Sequence, residues 1–333
     1  MVSALRSHPR SVGPIDRLRF APFLVQMVVV RRCNLSCGYC NEYDGASPPV
    51  PTEDLEARLR SVRRLGAFSV EFTGGEPMLH PDVVHLVRYA RSLGIPRVRM
   101  ISNAYLLNAD RVRALSDAGL DHLQISVDGV EPNDVTVKVL RPLRPKLRAV
   151  AEHARFRVTL SAVVGAAPLE EVREVVRFAR EHGFRPRVLL LHGEDGQLAL
   201  DEETLRAYAD LQRDLSALYR EAGDYRARLA RGRPAPFKCR AGARYLYVDE
   251  FGNVHWCSQQ RSHLSKPLEA YTVDDLVEQF YTPKPCNPQC TLGCARSSSK
   301  VDRWRPQSAT PPRPPEGAAA SPDVAADRLR RGG

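Results

Sequence analysis

The chain lacks any apolar run approaching the ~20 residues that a membrane span needs. Its first 20 residues carry charges and prolines where a secretory signal would place an apolar stretch. No internal repeat is visible. Lysine is scarce: six of the 49 basic residues, so the net charge of +10 rests on arginine. Those arginines are spread through every predicted helix, as genome composition would spread them, and nucleic-acid binding, which gathers basic residues on one face, is not expected. The last 37 residues alone carry seven basic and four acidic side chains, +3 of the +10. Eight cysteines without a secretory signal argue against a disulfide framework, and free thiolates suit a reducing compartment. The expectation is a soluble, cytoplasmic protein.

At 333 residues the chain suffices for one large domain or two smaller ones. Residues 22–191 alternate between short β-rich apolar runs and helical periodicity, the mark of a parallel α/β domain. Strands are predicted at 23–31, 69–73, 97–102, 121–127, 156–164 and 186–191. Helices are predicted at 52–66, 81–93, 109–118, 143–154, 168–182 and 201–221. Thr52 opens the first helix, with Asp54 and Glu56 in its first turn, where negative charge suits the dipole. The expected organisation is an extension (1–20), a core domain (21–222), a linker (223–236) and a cysteine-rich module with little helical pattern (237–296). The tail (297–333), rich in Pro, Ala, Ser and Arg, is expected to be disordered, with Trp304 exposed.

Three cysteines, Cys33, Cys37 and Cys40, follow the first strand in a C-x3-C-x2-C pattern. A structural zinc loop prefers paired C-x2-C knuckles and a fourth ligand, and no second pair lies nearby. A [4Fe–4S] cubane closed by protein needs four thiolates; three leave one iron open. The triad, with aromatic Tyr39 just before its last cysteine, resembles the signature of radical S-adenosylmethionine (SAM) enzymes. The resemblance implies an open (β/α)6 partial barrel, and six strand–helix units are counted here. It also implies a [4Fe–4S] cluster whose open iron binds SAM, reductive cleavage to a 5′-deoxyadenosyl radical, and a flavodoxin- or ferredoxin-type electron donor.

Active sites of such barrels lie at the carboxyl ends of the strands. After the second strand comes Thr73-Gly74-Gly75-Glu76-Pro77, whose glycines allow close approach of a ligand or simply make a turn. It matches the family's GGEP motif, which binds the SAM amino group. The resemblance further implies SAM contacts from Ser102 and Asn103, from Ser126 and Asp128 of an SxDG-like segment, and, around the adenine, from Tyr39, Val163 and Val164. Each of these also has an ordinary capping, turn or core role open to it. The family's arginine after SxDG is not matched, because Lys138 stands in that region. His192, Glu194 and Asp195, in the loop after the sixth strand, are candidates to bind or deprotonate a substrate, as is Asp128.

Cys239 and Cys257 bracket a predicted hairpin with a turn at 251–253, and Cys286, Cys290 and Cys294 follow at three-residue spacing. A zinc ribbon is one reading. The C-x9–15-G-x4-C opening resembles the SPASM and twitch auxiliary-cluster modules. Five cysteines are too few for two cubanes, so one auxiliary [4Fe–4S] cluster is expected. Its expected ligands are Cys239, Cys257, Cys290 and Cys294, with Cys286 as the alternative. Such a cluster suggests an oxidative reaction, and the leading expectation is an oxidoreductase acting on a small polar metabolite such as a cyclitol or sugar alcohol. The alternative enzyme is a peptide maturase forming a crosslink. A non-catalytic Fe–S protein or an RNA binder is the alternative of another class.

Overall fold

Seven consecutive buried residues, Leu24–Val30 (β1), form the centre of the sheet that carries the site, as suits a strand covered on both faces. In this computed structural model, residues 14–306 are described except 41, 193–197, 199, 215–222 and 262. From β1 the sheet continues in chain order and in parallel through Ser69–Gly74 (β2), Arg97–Ser102 (β3), His122–Ser126 (β4), Arg157–Val164 (β5) and Arg185–Leu190 (β6). Pro14–Phe20 (α1) precedes it. The crossovers carry Thr52–Arg64 (α2), Val83–Ser92 (α3), Ala109–Ala118 (α4), Leu140–His153 (α5) and Leu169–Glu181 (α6), and Glu202–Asp214 (α7) follows β6. This is the expected (β/α)6 partial barrel, and the sheet is not closed. Helix α5 begins three residues ahead of the expected 143, because Pro142 sits in its first turn, where proline is tolerated.

The cysteine-rich module is continuous with this sheet. Tyr245–Val248 (β7) pairs in parallel with the free side of β1, and Asn253–His255 (β8) and Lys266–Pro267 (β9) extend the sheet antiparallel. Three stretches differ from expectation. The presumed linker 223–236 contains helix Gly223–Ala230 (α8). The module contains Val273–Tyr281 (α9), opened by a capping box between Thr272 and Asp275, and Gly293–Lys300 (α10). These helices are too short for their periodicity to stand out, though the box is a readable start signal.

The third is 297–306, expected as disordered tail, where Ser298, Ser299, Asp302 and Arg305 are buried. Polar composition misleads there because the charges are satisfied: Asp302 pairs with Arg244, and Arg305 donates to the Arg19 carbonyl at 2.8 Å. Trp304 is exposed, as expected. Residues 1–13 and 307–333, and the last part of the helix expected at 201–221, lie outside the described residues. No helix among the described residues is long and apolar enough to cross a membrane.

Candidate active site

At the carboxyl ends of β1–β4 lies a cavity of about 170 Å3, lined by Cys33, Cys37 and Cys40 on one side and by Thr73, Gly74 and Gly75 on the other. The two segments touch through backbone. Gly75 N–H donates to Val30 O (2.9 Å) and Glu76 N–H to Arg32 O (3.0 Å). A Cβ at Gly74 would stand 2.0 Å from Val30 O, and one at Gly75 would stand 2.4 Å from both Arg31 O and Arg32 O. Glycine is required at both places, and the chain just before Cys33 is set by that contact.

Ser102, Asn103, Ser126 and Lys138 complete the wall. Asn103 Nδ2 donates to Asn34 Oδ1 (2.9 Å) and lies 3.7 Å from Cys33 Sγ. Glu76 and Pro77 do not line this cavity. Glu76 is fully buried, and its carboxylate accepts from Met78 N–H (2.9 Å), Ser102 Oγ (2.8 Å) and Asn103 N–H (2.7 Å). It braces the turn after β2 against the end of β3, and burial raises its pKa. Its side chain is therefore occupied by the protein, and the backbone of 73–75 is what faces the cavity.

Asp128, a candidate for catalysis or SAM contact, is also shut off from it. Its Oδ2 accepts from Tyr39 Oη and Thr136 Oγ1, both at 2.7 Å, and burial raises its pKa. Lys138 Nζ bonds Tyr39 Oη at 3.1 Å and lies 4.9 Å from that ring's centre. Burial by itself lowers the Lys138 pKa, but Tyr39, Asp128, Cys37 and Cys40 raise it, so the ammonium stays charged. The residue noted in the sequence only as a departure is thus a cation in the wall of the cavity. Val163 and Val164 do not line it either; they lie in β5, paired with Leu189 and Leu190 of β6.

The profile of the Radical SAM superfamily covers residues 27–208. The chain belongs to the radical SAM superfamily. It is 30% identical over 258 residues to a PqqA peptide cyclase of Gluconobacter oxydans, covering 71% of this chain and 70% of that one. With the PqqA peptide cyclase of Bradyrhizobium diazoefficiens it shares 32% identity over 166 residues, which is less than half of either chain (47% and 43%). Its fold resembles the crystal structure of Streptococcus suis SuiB bound to the precursor peptide SuiA, with TM-score 0.60 and 18% identity over 85% of this chain and 73% of that one.

A radical SAM enzyme holds a [4Fe–4S] cluster and SAM, and the donor set fits both. All eight cysteines are free thiols. Among the described residues no three Cys, His, Asp or Glu side chains are grouped tightly enough to share one metal ion. A cubane makes no such demand, because each thiolate binds its own iron.

The second group of cysteines lies on the far side of β1. Cys239 and Cys257 flank the β7–β8 hairpin in a small core with Trp256 and Tyr245, and burial pushes the Cys239 thiol up to about 12. Cys286 and Cys290 belong with them: each of Cys239 and Cys257 has both among its interacting charged neighbours. Cys294 packs against the same small core and is a neighbour of Cys290. It also lines the interior of the barrel, with Glu71 and Arg187 as its first charged neighbours. The expected set took Cys239, Cys257, Cys290 and Cys294 as ligands and Cys286 as the alternative; Cys294, at the start of α10, is shared between this core and the barrel interior.

Glu42, two residues after Cys40, joins the two halves. Its Oε2 accepts from Arg31 (3.3 Å), from Tyr247 Oη of β7 (2.9 Å) and from Arg261, four residues after Cys257 (3.0 Å). No motif announced it. His192 lines the barrel interior, while Glu194 and Asp195 lie outside the described residues.

Proposed function

We propose that this chain is a radical SAM enzyme that modifies a peptide. The observation that carries the reading is the similarity to a PqqA peptide cyclase, which runs along 258 residues and 71% of the chain. The fold neighbour bound to a precursor peptide agrees with it. Oxidation of a cyclitol or sugar alcohol, the leading expectation from the sequence, has weaker support, since the curated relatives described above are named as peptide cyclases. When bound, the cluster and SAM supply one-electron cleavage of the sulfonium and removal of a substrate hydrogen atom. Cys33, Cys37 and Cys40 would hold the cluster. The backbone of Gly74 and Gly75, the polar groups of Ser102, Asn103 and Ser126, and the Lys138 ammonium would bind SAM. An auxiliary cluster would sit on Cys239, Cys257, Cys286 and Cys290.

Two measurements test this. Anaerobically reconstituted enzyme with SAM and a reductant should form 5′-deoxyadenosine faster with the synthetic PqqA peptide or a pool of short peptides, and the product peptide should have lost two hydrogens. Stimulation by aminocyclitols alone, with peptide masses unchanged, would return the reading to metabolite oxidation. For the auxiliary site, Cys286→Ala should lower iron content by about four, whereas Cys294→Ala should leave it intact. The reverse result would restore the sequence-based ligand set.

A further inference from the structure

Strand alternation turns one residue in two toward the barrel axis. Interiors of such barrels are normally filled by branched aliphatic side chains. Here Gln26, Glu71, Arg99, Gln124 and Arg187, from β1 to β4 and β6, surround a cavity of about 230 Å3. Glu71 is already engaged: it accepts from Gln26 Nε2 (2.7 Å) and pairs with Arg99 (3.1 Å). That leaves two cations. Arg187 donates to Gln124 Oε1 (2.7 Å), a neutral acceptor. Arg226, on α8, is 6% exposed and lies 4.7 Å from the centre of the Tyr225 ring. Among the described residues neither guanidinium has a carboxylate partner.

Both guanidiniums end at one point. A Cβ built on Gly293 would stand 2.8 Å from Arg226 Nη2 and 3.1 Å from Arg187 Nη2. Gly293 is the first residue of α10, and its N-cap, Leu292, provides no side-chain capping bond. Two like charges and the positive end of a helix therefore converge on this cavity, whose carboxylate near Arg187, Glu71, is already committed to Gln26 and Arg99. Burial of unpaired charge is strongly unfavourable, and the planar guanidinium fork is the group best matched to a two-oxygen acceptor.

We propose that the barrel interior is a binding site for an oxyanion, a carboxylate or phosphate group of a ligand, held between Arg187 and Arg226 at the start of α10. The site does not depend on the peptide reading, because either a peptide or a small metabolite can present such a group. It extends toward the amino ends of the strands, where Arg97, Arg157 and Arg185 line a second opening that shares Arg99 and Arg187 with the first. Neighbouring His122 is held neutral there by burial and by these arginines, with its pKa lowered to about 3.

The test is calorimetric titration of reconstituted holoenzyme with glutarate and with inorganic phosphate at constant ionic strength. Saturable binding is expected, and the tighter probe names the source of the oxyanion. R187Q and R226Q should each weaken binding at least about tenfold, as expected for loss of a charged, forked hydrogen bond. R155Q, at an exposed arginine on the surface, should not change it. If a glutamine variant fails to hold its iron, R187K and R226K are read in its place; they keep charge and lose the fork, and should also weaken binding.

Three results would overturn the proposal. One is no saturable binding of either probe to the wild-type enzyme. Another is competition with SAM, which would put the anion in the SAM cavity. The third is unchanged anion affinity in the variants with a shifted potential of a C-terminal cluster, which would make the two arginines counter-charges of that cluster.

Discussion

Replacement of Cys33, Cys37 and Cys40 together by Ala is expected to remove about four irons and to abolish formation of 5′-deoxyadenosine. The reasoning begins with the donor set. The three thiols line one cavity with the Gly74-Gly75 turn, and Asn103 reaches toward the first of them. No other cysteine lines that cavity, so no remaining thiol can take over a lost ligand there. The module cysteines sit on the far side of β1, where Cys239 and Cys257 are buried in their own small core. The triple variant should therefore keep its C-terminal iron. Iron and sulfide assays with Mössbauer spectra, wild type beside variant, give the answer. About eight irons falling to about four would separate two cubanes. About four falling to none would make the C-terminal module iron-free. Undiminished 5′-deoxyadenosine from a pure triple variant would remove the cluster from this cavity altogether.

The parts of this site that lie together in the chain were legible in the sequence. The cysteine triad is a contiguous motif, and the glycine turn directly follows a recognisable strand. The parallel barrel was legible because six apolar runs alternate with helical periodicity. What could not be read depends on partners far apart in sequence. Nothing local says that β7 pairs with β1, since parallel strands joined through a long excursion leave no turn signature. The GGEP motif does not reveal that the Glu76 carboxylate already accepts from Met78, Ser102 and Asn103. Asp128 is engaged through Oδ2 by Tyr39 and Thr136, a pairing that no local motif reveals, while its buried Oδ1 has no partner among the described residues.

Other signals were present and went unread. Arg97-Val98-Arg99-Met100, His122-Leu123-Gln124-Ile125 and Arg185-Pro186-Arg187-Val188 alternate polar and apolar residues with the period of a strand. That period is the sequence trace of a barrel lined with charge. Lys138 was equally visible as one of only six lysines in the chain. Its burial beside Tyr39 required the fold.

The second large effect is expected from a single methyl group. Gly75→Ala should reduce SAM cleavage by at least about tenfold, whereas Gly45→Ala should stay near the wild-type rate. A Cβ at position 75 meets two backbone carbonyls, Arg31 O and Arg32 O, at 2.4 Å, and backbone cannot rotate aside as a flexible side chain can. At Gly45 nothing lies within 4 Å. Relief at position 75 requires the turn after β2 to part from the end of β1, which strains the bonds from Gly75 and Glu76 N–H to Val30 and Arg32 O. Overpacking of this kind costs about 1–3 kcal/mol, and Cys33 is the next residue along the displaced chain. Rate, iron content and thermal midpoint should be measured on the same reconstituted samples. Lower rate with retained iron would place the damage on SAM binding, and lower rate with lost iron would place it on the cysteine loop. A variant that keeps its iron, its midpoint and its rate would show that the two segments do not need this close approach, and the assignment of the glycine turn to the SAM site would lose its structural basis.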